Sequence, residues 1–340
     1  MNSLLGKIKF SLIAVSLFAA VPLASYSQPA RPARGARPFV NPHPPKRSAM
    51  TDGKTSEKSI AVDKNVTVQL CVTQGTVKIN GWNRGEVRVF IKDGAKFGFK
   101  VTQKSMHSDA AGWIKIVGLD PGKGRYGPQS ECIWGDEIEI DAPAGASINM
   151  SGTEATTTID GIKKAAVKMV GGDISLRNIA AYIYANSGRG DITVEESTGS
   201  ISLETATGNI LAFDVGPWEI GDGFKARTNS GMISLQKLEH RQVDAGSVSG
   251  SIIFNGEILS GGSYGMNTTK GSIKMSIPAN SSCQLIAFYG FGNFNSDIPV
   301  KIQTEDITEG ATKRIAGVIG NGGATVRLTS NSGNITIKKQ

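Results

Sequence analysis

The chain has 340 residues, of which 39% are hydrophobic and 19% charged, and its formal net charge is +8. Lys7, Lys9, Arg31, Arg34, Arg37, Lys46 and Arg47 supply seven of those eight charges, with no Asp or Glu before residue 48. The remainder is close to neutral, which excludes a basic body built to hold nucleic acid.

Residues 1–27 read as a secretory signal. Lys7 and Lys9 give a positive start, Leu12 to Leu23 is an apolar run, and Ser25-Tyr26-Ser27 offers small residues for cleavage before Gln28. The run is shorter than the roughly 20 apolar residues of a membrane span, so no transmembrane span is expected in the mature chain. No cysteine follows it to carry a lipoprotein anchor. Residues 28–58, rich in proline and arginine, read as a disordered linker with no means of building a core.

Residues 59–340 read as one folded domain. Val66, Val68, Leu70 and Val72 alternate with polar residues, and Glu86-Val-Arg-Val-Phe-Ile91 is a second strand. Residues 92–131 interrupt the pattern as an irregular N-terminal insert. Gly122-Lys-Gly-Arg-Tyr-Gly127 within it lacks the Gly-Lys-Ser/Thr ending of a phosphate loop and reads as a surface loop.

Beyond residue 150 one phrase recurs. It reads Gly172-Asp-Ile-Ser-Leu176, Gly190-Asp-Ile-Thr-Val194, Gly208-Asn-Ile-Leu-Ala212, Gly231-Met-Ile-Ser-Leu235, Gly250-Ser-Ile-Ile-Phe254, Gly271-Ser-Ile-Lys-Met275 and Gly333-Asn-Ile-Thr-Ile337. Each copy is a turn followed by a period-2 strand. The glycines from 172 to 271 are spaced by 18, 18, 23, 19 and 21 residues, enough for one coil of about two strands. No stretch has a helical period. The expectation is an all-β, right-handed parallel β-solenoid with inward Ile, Leu, Val and Met in ladders along its axis. The competing fold is an antiparallel sandwich with glycine-rich hairpins. Residues 279–340 are expected to close the stack, with a final coil reaching Ile337.

Several constellations bear on function. Asp173, Asp191 and Asn209 each follow a repeat glycine at spacings of 18 and are expected to stack. Stacked carboxylates repel, so they would hold Ca²⁺ or stand as a solvated polar ladder. Phe288, Tyr289, Phe291 and Phe294 offer rings to a sugar or a protein partner, or plug the end of the stack. Trp82, Trp113 and Trp134 are placed to cap the other end. Cys71 and Cys132 would form a bridge in an oxidising envelope, tying the insert to the first coil, or remain buried thiols like Cys283.

Catalytic patterns are sparse. Glu195 and Glu196 adjoin but would point apart along a strand, while Asp214 and Asp222 bracket Pro217-Trp218 as a lip. His43, His107 and His240 fall in the linker and in expected loops, with no zinc spacing. Arg189-Gly190-Asp191 is the repeat turn.

Thr73-Gln-Gly-Thr-Val-Lys-Ile-Asn-Gly-Trp82, Ile138-Glu-Ile-Asp-Ala-Pro-Ala-Gly145 and Gly320-Asn-Gly-Gly-Ala-Thr-Val-Arg-Leu328, in that order, resemble the "putative adhesin" β-strand-repeat family, a domain of unknown function. The resemblance covers roughly residues 60–340. It implies an exported bacterial β-solenoid at the cell envelope and supplies no catalytic residues. The expected function is a non-catalytic surface-binding protein, with an envelope polymer or protein as ligand. The alternatives are a periplasmic envelope-stress scaffold and a polysaccharide-acting β-helix enzyme. Expected locations are periplasm, cell surface or medium.

Overall fold

The computed structural model describes residues 54–103, 110–119, 131–307 and 312–340. The signal-like start, residues 28–53 of the expected linker, the Gly122–Gly127 loop, His43 and His107 lie outside them. Among the described residues the structure is all β, with 24 strands and no helix. They are β1 (Thr55–Trp82), β2 (Glu86–Lys92), β3 (Phe97–Gln103), β4 (Ala111–Gly118), β5 (Glu137–Pro143), β6 (Ser147–Asp160), β7 (Lys164–Gly171) and β8 (Ile174–Arg177). Next come β9 (Tyr182–Arg189), β10 (Ile192–Thr198), β11 (Ser200–Thr207), β12 (Ile210–Gly216), β13 (Gly223–Ser230), β14 (Ile233–Leu238), β15 (Gln242–Ser249) and β16 (Ile252–Asn255). The last are β17 (Ser263–Lys270), β18 (Ile273–Ile277), β19 (Cys283–Phe291), β20 (Phe294–Ser296), β21 (Lys301–Asp306), β22 (Lys313–Ile319), β23 (Ala324–Ser332) and β24 (Ile335–Lys339).

Each coil carries two strands, and each strand pairs in parallel with its counterpart one coil away. One face runs β8, β10, β12, β14, β16, β18. The other runs β7, β9, β11, β13, β15, β17. The register sets the second residue after each repeat glycine in a single column: Ile174, Ile192, Ile210, Ile233, Ile252, Ile273 and Ile335. All seven are at most 1% exposed. Each such burial contributes about 1.5–3 kcal/mol before chain entropy is subtracted. The neighbouring column varies in size, and three successive coils compensate: Leu203 goes with Ala212, Ala226 with Leu235 and Ala245 with Phe254. Such exchange keeps the volume of each layer roughly constant.

The repeat glycine is required by backbone contact between coils. A Cβ on Gly208 would stand 2.0 Å from the Gly190 carbonyl oxygen, and one on Gly250 would stand 1.8 Å from that of Gly231. Three residues before each such glycine, a buried hydroxyl fastens the same corner. Thr205 donates to Gly190 O at 3.0 Å, Thr228 to Gly208 O at 3.0 Å, Ser247 to Gly231 O at 3.1 Å and Thr268 to Gly250 O at 2.8 Å. These hydroxyls satisfy both themselves and a carbonyl that the turn would otherwise leave poorly paired.

Both ends of the stack finish in antiparallel strands. At the start, β1 pairs in parallel with β4, β5 and β6, while β2 lies between the beginning of β1 and β5, antiparallel to both. The chain is already in this sheet at Thr55, paired with Lys92, so Thr55–Lys58 are strand and the expected linker boundary at 58 is too late. The stretch expected as an irregular insert contains a hairpin, β3 antiparallel to β4. At the other end the sequence order is broken. The coil β23–β24 lies between β17–β18 and β19–β20, so the last strands of the chain are interior to the stack. The outer closure is instead β19, then β22, then β21, joined antiparallel. Pairing terminal strands in this way limits open edges.

Candidate functional site

The outer face of the β7-to-β17 sheet carries a depression. Where β11, β13 and β17 cross it, outward residues are short: Ser200 and Ser202, Gly223, and Ser263. Lys225, Gln242 and Asp244 complete a shallow trough of about 620 Å³. At the usual strand separation of about 4.8 Å it spans roughly 15 Å along the stack. Its charges are matched across strands. Lys225 Nζ donates to Glu204 Oε1 at 2.8 Å, and Arg227 is bonded to Asp244. Tyr182 and Tyr184 on β9 stand beside Ser200 and Ser202 at one end, with Tyr182 41% exposed.

The side of the trough is raised by the connection from β12 to β13. Asp222 Oδ2 accepts the main-chain N–H groups of Trp218, at 2.9 Å, and Glu219, at 2.8 Å. That bracing holds Trp218 55% exposed and Ile220 fully exposed. A second depression of about 390 Å³ is lined by Trp218 and Arg241 and shares Gly221 and Gln242 with the trough. Of the lip residues read from the sequence, Asp222 and Trp218 therefore meet. Asp214 instead serves as a corner in left-handed backbone, as do Asn178, Glu196 and Lys237 at equivalent turns. Those side chains mark a second column of bends that pattern reading did not separate from the strands.

The other candidates are placed as follows. Asp191 N–H donates to Asp173 Oδ1 at 2.8 Å, Asn209 N–H to Asp191 Oδ1 at 2.7 Å and Met232 N–H to Asn209 Oδ1 at 2.9 Å. The ladder thus gives one side-chain oxygen of each residue to the main chain of the next coil. Among the described residues no group of three or more His, Cys, Asp or Glu side chains is arranged to hold a metal. The four aromatic residues near the far end do not form one patch. Tyr289 is buried, Phe294 packs against the core, Phe291 is 80% exposed, and Phe288 lies outside between Arg327 and Arg314, 4.7 and 5.8 Å from its ring.

Cys71 and Cys132 are joined by a disulfide, with Cα atoms 4.5 Å apart. Residues 131–133 run beside Cys71–Thr73, through Ile133 N–H to Cys71 O at 2.8 Å and Thr73 N–H to Ile133 O at 3.0 Å. Beside the bridge, hydrogen bonds from Lys100 and Lys115 hold the Glu131 carboxyl down at about 2. Cys283 is a buried free thiol, pushed by burial up to about 11.

His240 lies in the connection between β14 and β15, as expected, but on its inner side. It is fully buried against Phe224, with Nε2–H donating to Gly199 O at 2.8 Å and Nδ1 without a partner. Burial lowers its pKa, which keeps the imidazole neutral, against a smaller opposing effect of that hydrogen bond.

The fold and this surface define a parallel β-solenoid carrying a charge-matched trough on one face. The Toastrack DUF4097 family matches residues 59–338, and the chain belongs to that family. No curated protein matches it. Among solved structures it is similar to a "putative lipid binding protein" from Parabacteroides distasonis, at 13% identity and a TM-score of 0.41, covering 84% of this chain and 97% of that one. It is also similar to a "putative adhesin" from Bacteroides fragilis, at 13% identity and a TM-score of 0.38, with the same coverages. A third is a "putative cell adhesion protein" from Clostridium sporogenes, at 12% identity and a TM-score of 0.27, covering 84% of this chain and all of that one. Among the described residues no helix is long and apolar enough to cross a membrane.

Proposed function

We propose that the chain is exported and acts at the cell envelope as a non-enzymatic binding protein, holding an envelope polymer or protein on the outer face of the β7-to-β17 sheet. The observation that carries this reading is the trough: a low strip of small residues beside a braced loop that holds Trp218 and Ile220 in solvent. Exposed apolar side chains grouped in one place and rimmed by polar residues mark a surface where something docks. Within the trough, Asp244 is engaged by Arg227 and Lys225 by Glu204, which suits holding a ligand better than proton transfer. Export rests on the positive start and apolar run of residues 1–27, and the Cys71–Cys132 bridge accords with an oxidising compartment.

The test has two parts. Fractionation with protease shaving of intact cells locates the protein, and mass spectrometry reads its mature start near Gln28. Purified protein is then incubated with isolated envelope, beside the Ser202→Trp variant that fills the trough. Recovery in the envelope or medium, and retention that the variant loses, are expected. An uncleaved cytosolic protein, or retention that the variant leaves unchanged, overturns the reading.

A further inference from the structure

We infer that the trough takes an uncharged polysaccharide strand, lying across β11, β13 and β15 with one sugar ring stacked on Trp218. This rests on the reading of the trough as the binding face and names the class of its ligand.

Three features point to a sugar. First, the floor is polar and low. Ser200, Ser202, Gln242 and Ser263 present hydroxyl and amide groups that both donate and accept, as a chain of sugar hydroxyls requires. A protein-binding centre would instead be dominated by buried apolar anchors.

Second, the charges on the trough floor are paired. Lys225 with Glu204 and Arg227 with Asp244 are ion pairs between adjacent strands, so the strip is polar yet balanced. On the trough floor an anionic polymer or bilayer surface would have to break these pairs to gain a cation, and the neighbouring Arg241 lines the depression beside Trp218 rather than the trough, with its Nε donating to Ser260 O. A neutral strand leaves both intact.

Third, flat apolar surface stands where it is needed. Trp218 is held by Asp222 at the side of the strip, and Tyr182 stands beside Ser200 at its end. Aromatic faces pack against the C–H faces of a sugar ring while its hydroxyls stay wet or reach the floor. Since coils repeat at about 4.8 Å, polar groups recur along the stack, suiting a repeating ligand better than a compact one.

The experiment titrates the mature protein with hexasaccharides of β-1,4-linked glucose, mannose and N-acetylglucosamine. Calorimetry and tryptophan fluorescence are the readouts. A polygalacturonate oligomer and vesicles of phosphatidylethanolamine with phosphatidylglycerol are the charged comparisons. Saturable binding of a neutral hexasaccharide is expected, insensitive to salt, weakened about tenfold by Trp218→Ala and abolished by Ser202→Trp. Thermal melts show whether each variant is folded, and Lys274→Ala on the opposite sheet should bind as the parent does. Preference for polygalacturonate or vesicles, with loss at higher salt, overturns the inference in favour of an anionic ligand. If none of the sugars binds while envelope retention still depends on Ser202, the glycan assignment fails and the binding-face reading survives. If that dependence is absent too, both fail.

Discussion

Asp173 and Asp191 are connected through the main chain: Asp173 Oδ1 accepts the Asp191 N–H at 2.8 Å, and Asp191 repeats the arrangement with Asn209 at 2.7 Å. Ser251 and Ser272 continue it further along, where Ser251 Oγ accepts Ser272 N–H at 3.2 Å and Ser272 Oγ accepts Asn334 N–H at 3.1 Å. An Asp, Asn or Ser after the repeat glycine therefore serves one purpose, which is to cap a turn N–H that faces water.

That equivalence gives the first prediction. Asp191→Asn keeps the acceptor and should alter stability by less than about 0.5 kcal/mol. Asp191→Ala removes it and should cost about 1 kcal/mol. Calcium should leave the melting temperature of all three proteins unchanged, because one oxygen of each carboxylate is held by the next coil and no third acidic side chain stands with them among the described residues. Urea denaturation with and without calcium checks both statements. A rise in melting temperature specific to the parent would restore the ion to the ladder.

The glycine column supplies the second. Gly208→Ala places a methyl 2.0 Å from the Gly190 carbonyl, and Gly208 also has φ +154°. Relief needs two coils to separate, so a loss of about 3 kcal/mol or more is expected. Gly265 in β17 is the comparison. A Cβ there meets nothing closer than 3.6 Å, so Gly265→Ala should stabilise by about 0.4–1 kcal/mol through the unfolded chain. Equal effects at the two sites would contradict the close approach of the coils.

The repeated phrase made most of this architecture legible. Glycine at near-fixed spacing followed by alternating Ile and Leu identifies a parallel stack, because only parallel register brings identical residues into one column. Two things were not legible. The order of the last coils depends on which strand reaches β17 first, and the local pattern of β19 and β23 is the same. The trough depends on which outward residues become neighbours three coils apart, which needs the register itself. The lip did leave a trace: Gly208 to Gly231 is five residues longer than the 18-residue period, and the excess is the loop bearing Trp218 and Ile220. The aromatic cluster misled because adjacency in sequence, as in Phe288-Tyr289, puts side chains on opposite faces of a strand.

The third prediction concerns the bridge. Cys71 and Cys132 are 61 residues apart in sequence, so the disulfide constrains a long loop that contains β2 to β4. Cys71→Ser with Cys132→Ser should lower stability by about 2–4 kcal/mol. The loss should appear first in the β3–β4 hairpin, which β4 anchors on one side alone through β1. Hydrogen exchange read by mass spectrometry would locate it. Uniform loss of protection along the whole stack would mean that the hairpin does not open separately.

The fourth follows from His240. Its imidazole is neutral when folded, donates through Nε2 to Gly199 O, and is held below its ordinary pKa chiefly by burial, with Asp222 and Glu239 pulling weakly the other way. In the unfolded chain it titrates near the usual ~6.5. Below that pH the unfolded state binds a proton that the folded state refuses, so stability must fall as the solution is acidified. The slope is about 1.4 kcal/mol per pH unit for one proton, and it persists until the folded imidazole protonates in its turn. His240→Gln removes the titrating group while keeping an N–H for Gly199. The difference between parent and variant stability, measured by urea denaturation from pH 7.5 to 5, should therefore change across this window, even if the variant is less stable throughout. Carboxylates elsewhere contribute equally to both proteins and cancel. A difference that stays flat with pH would mean that the folded and unfolded imidazoles titrate alike, and burial behind Phe224 would then not keep the proton out.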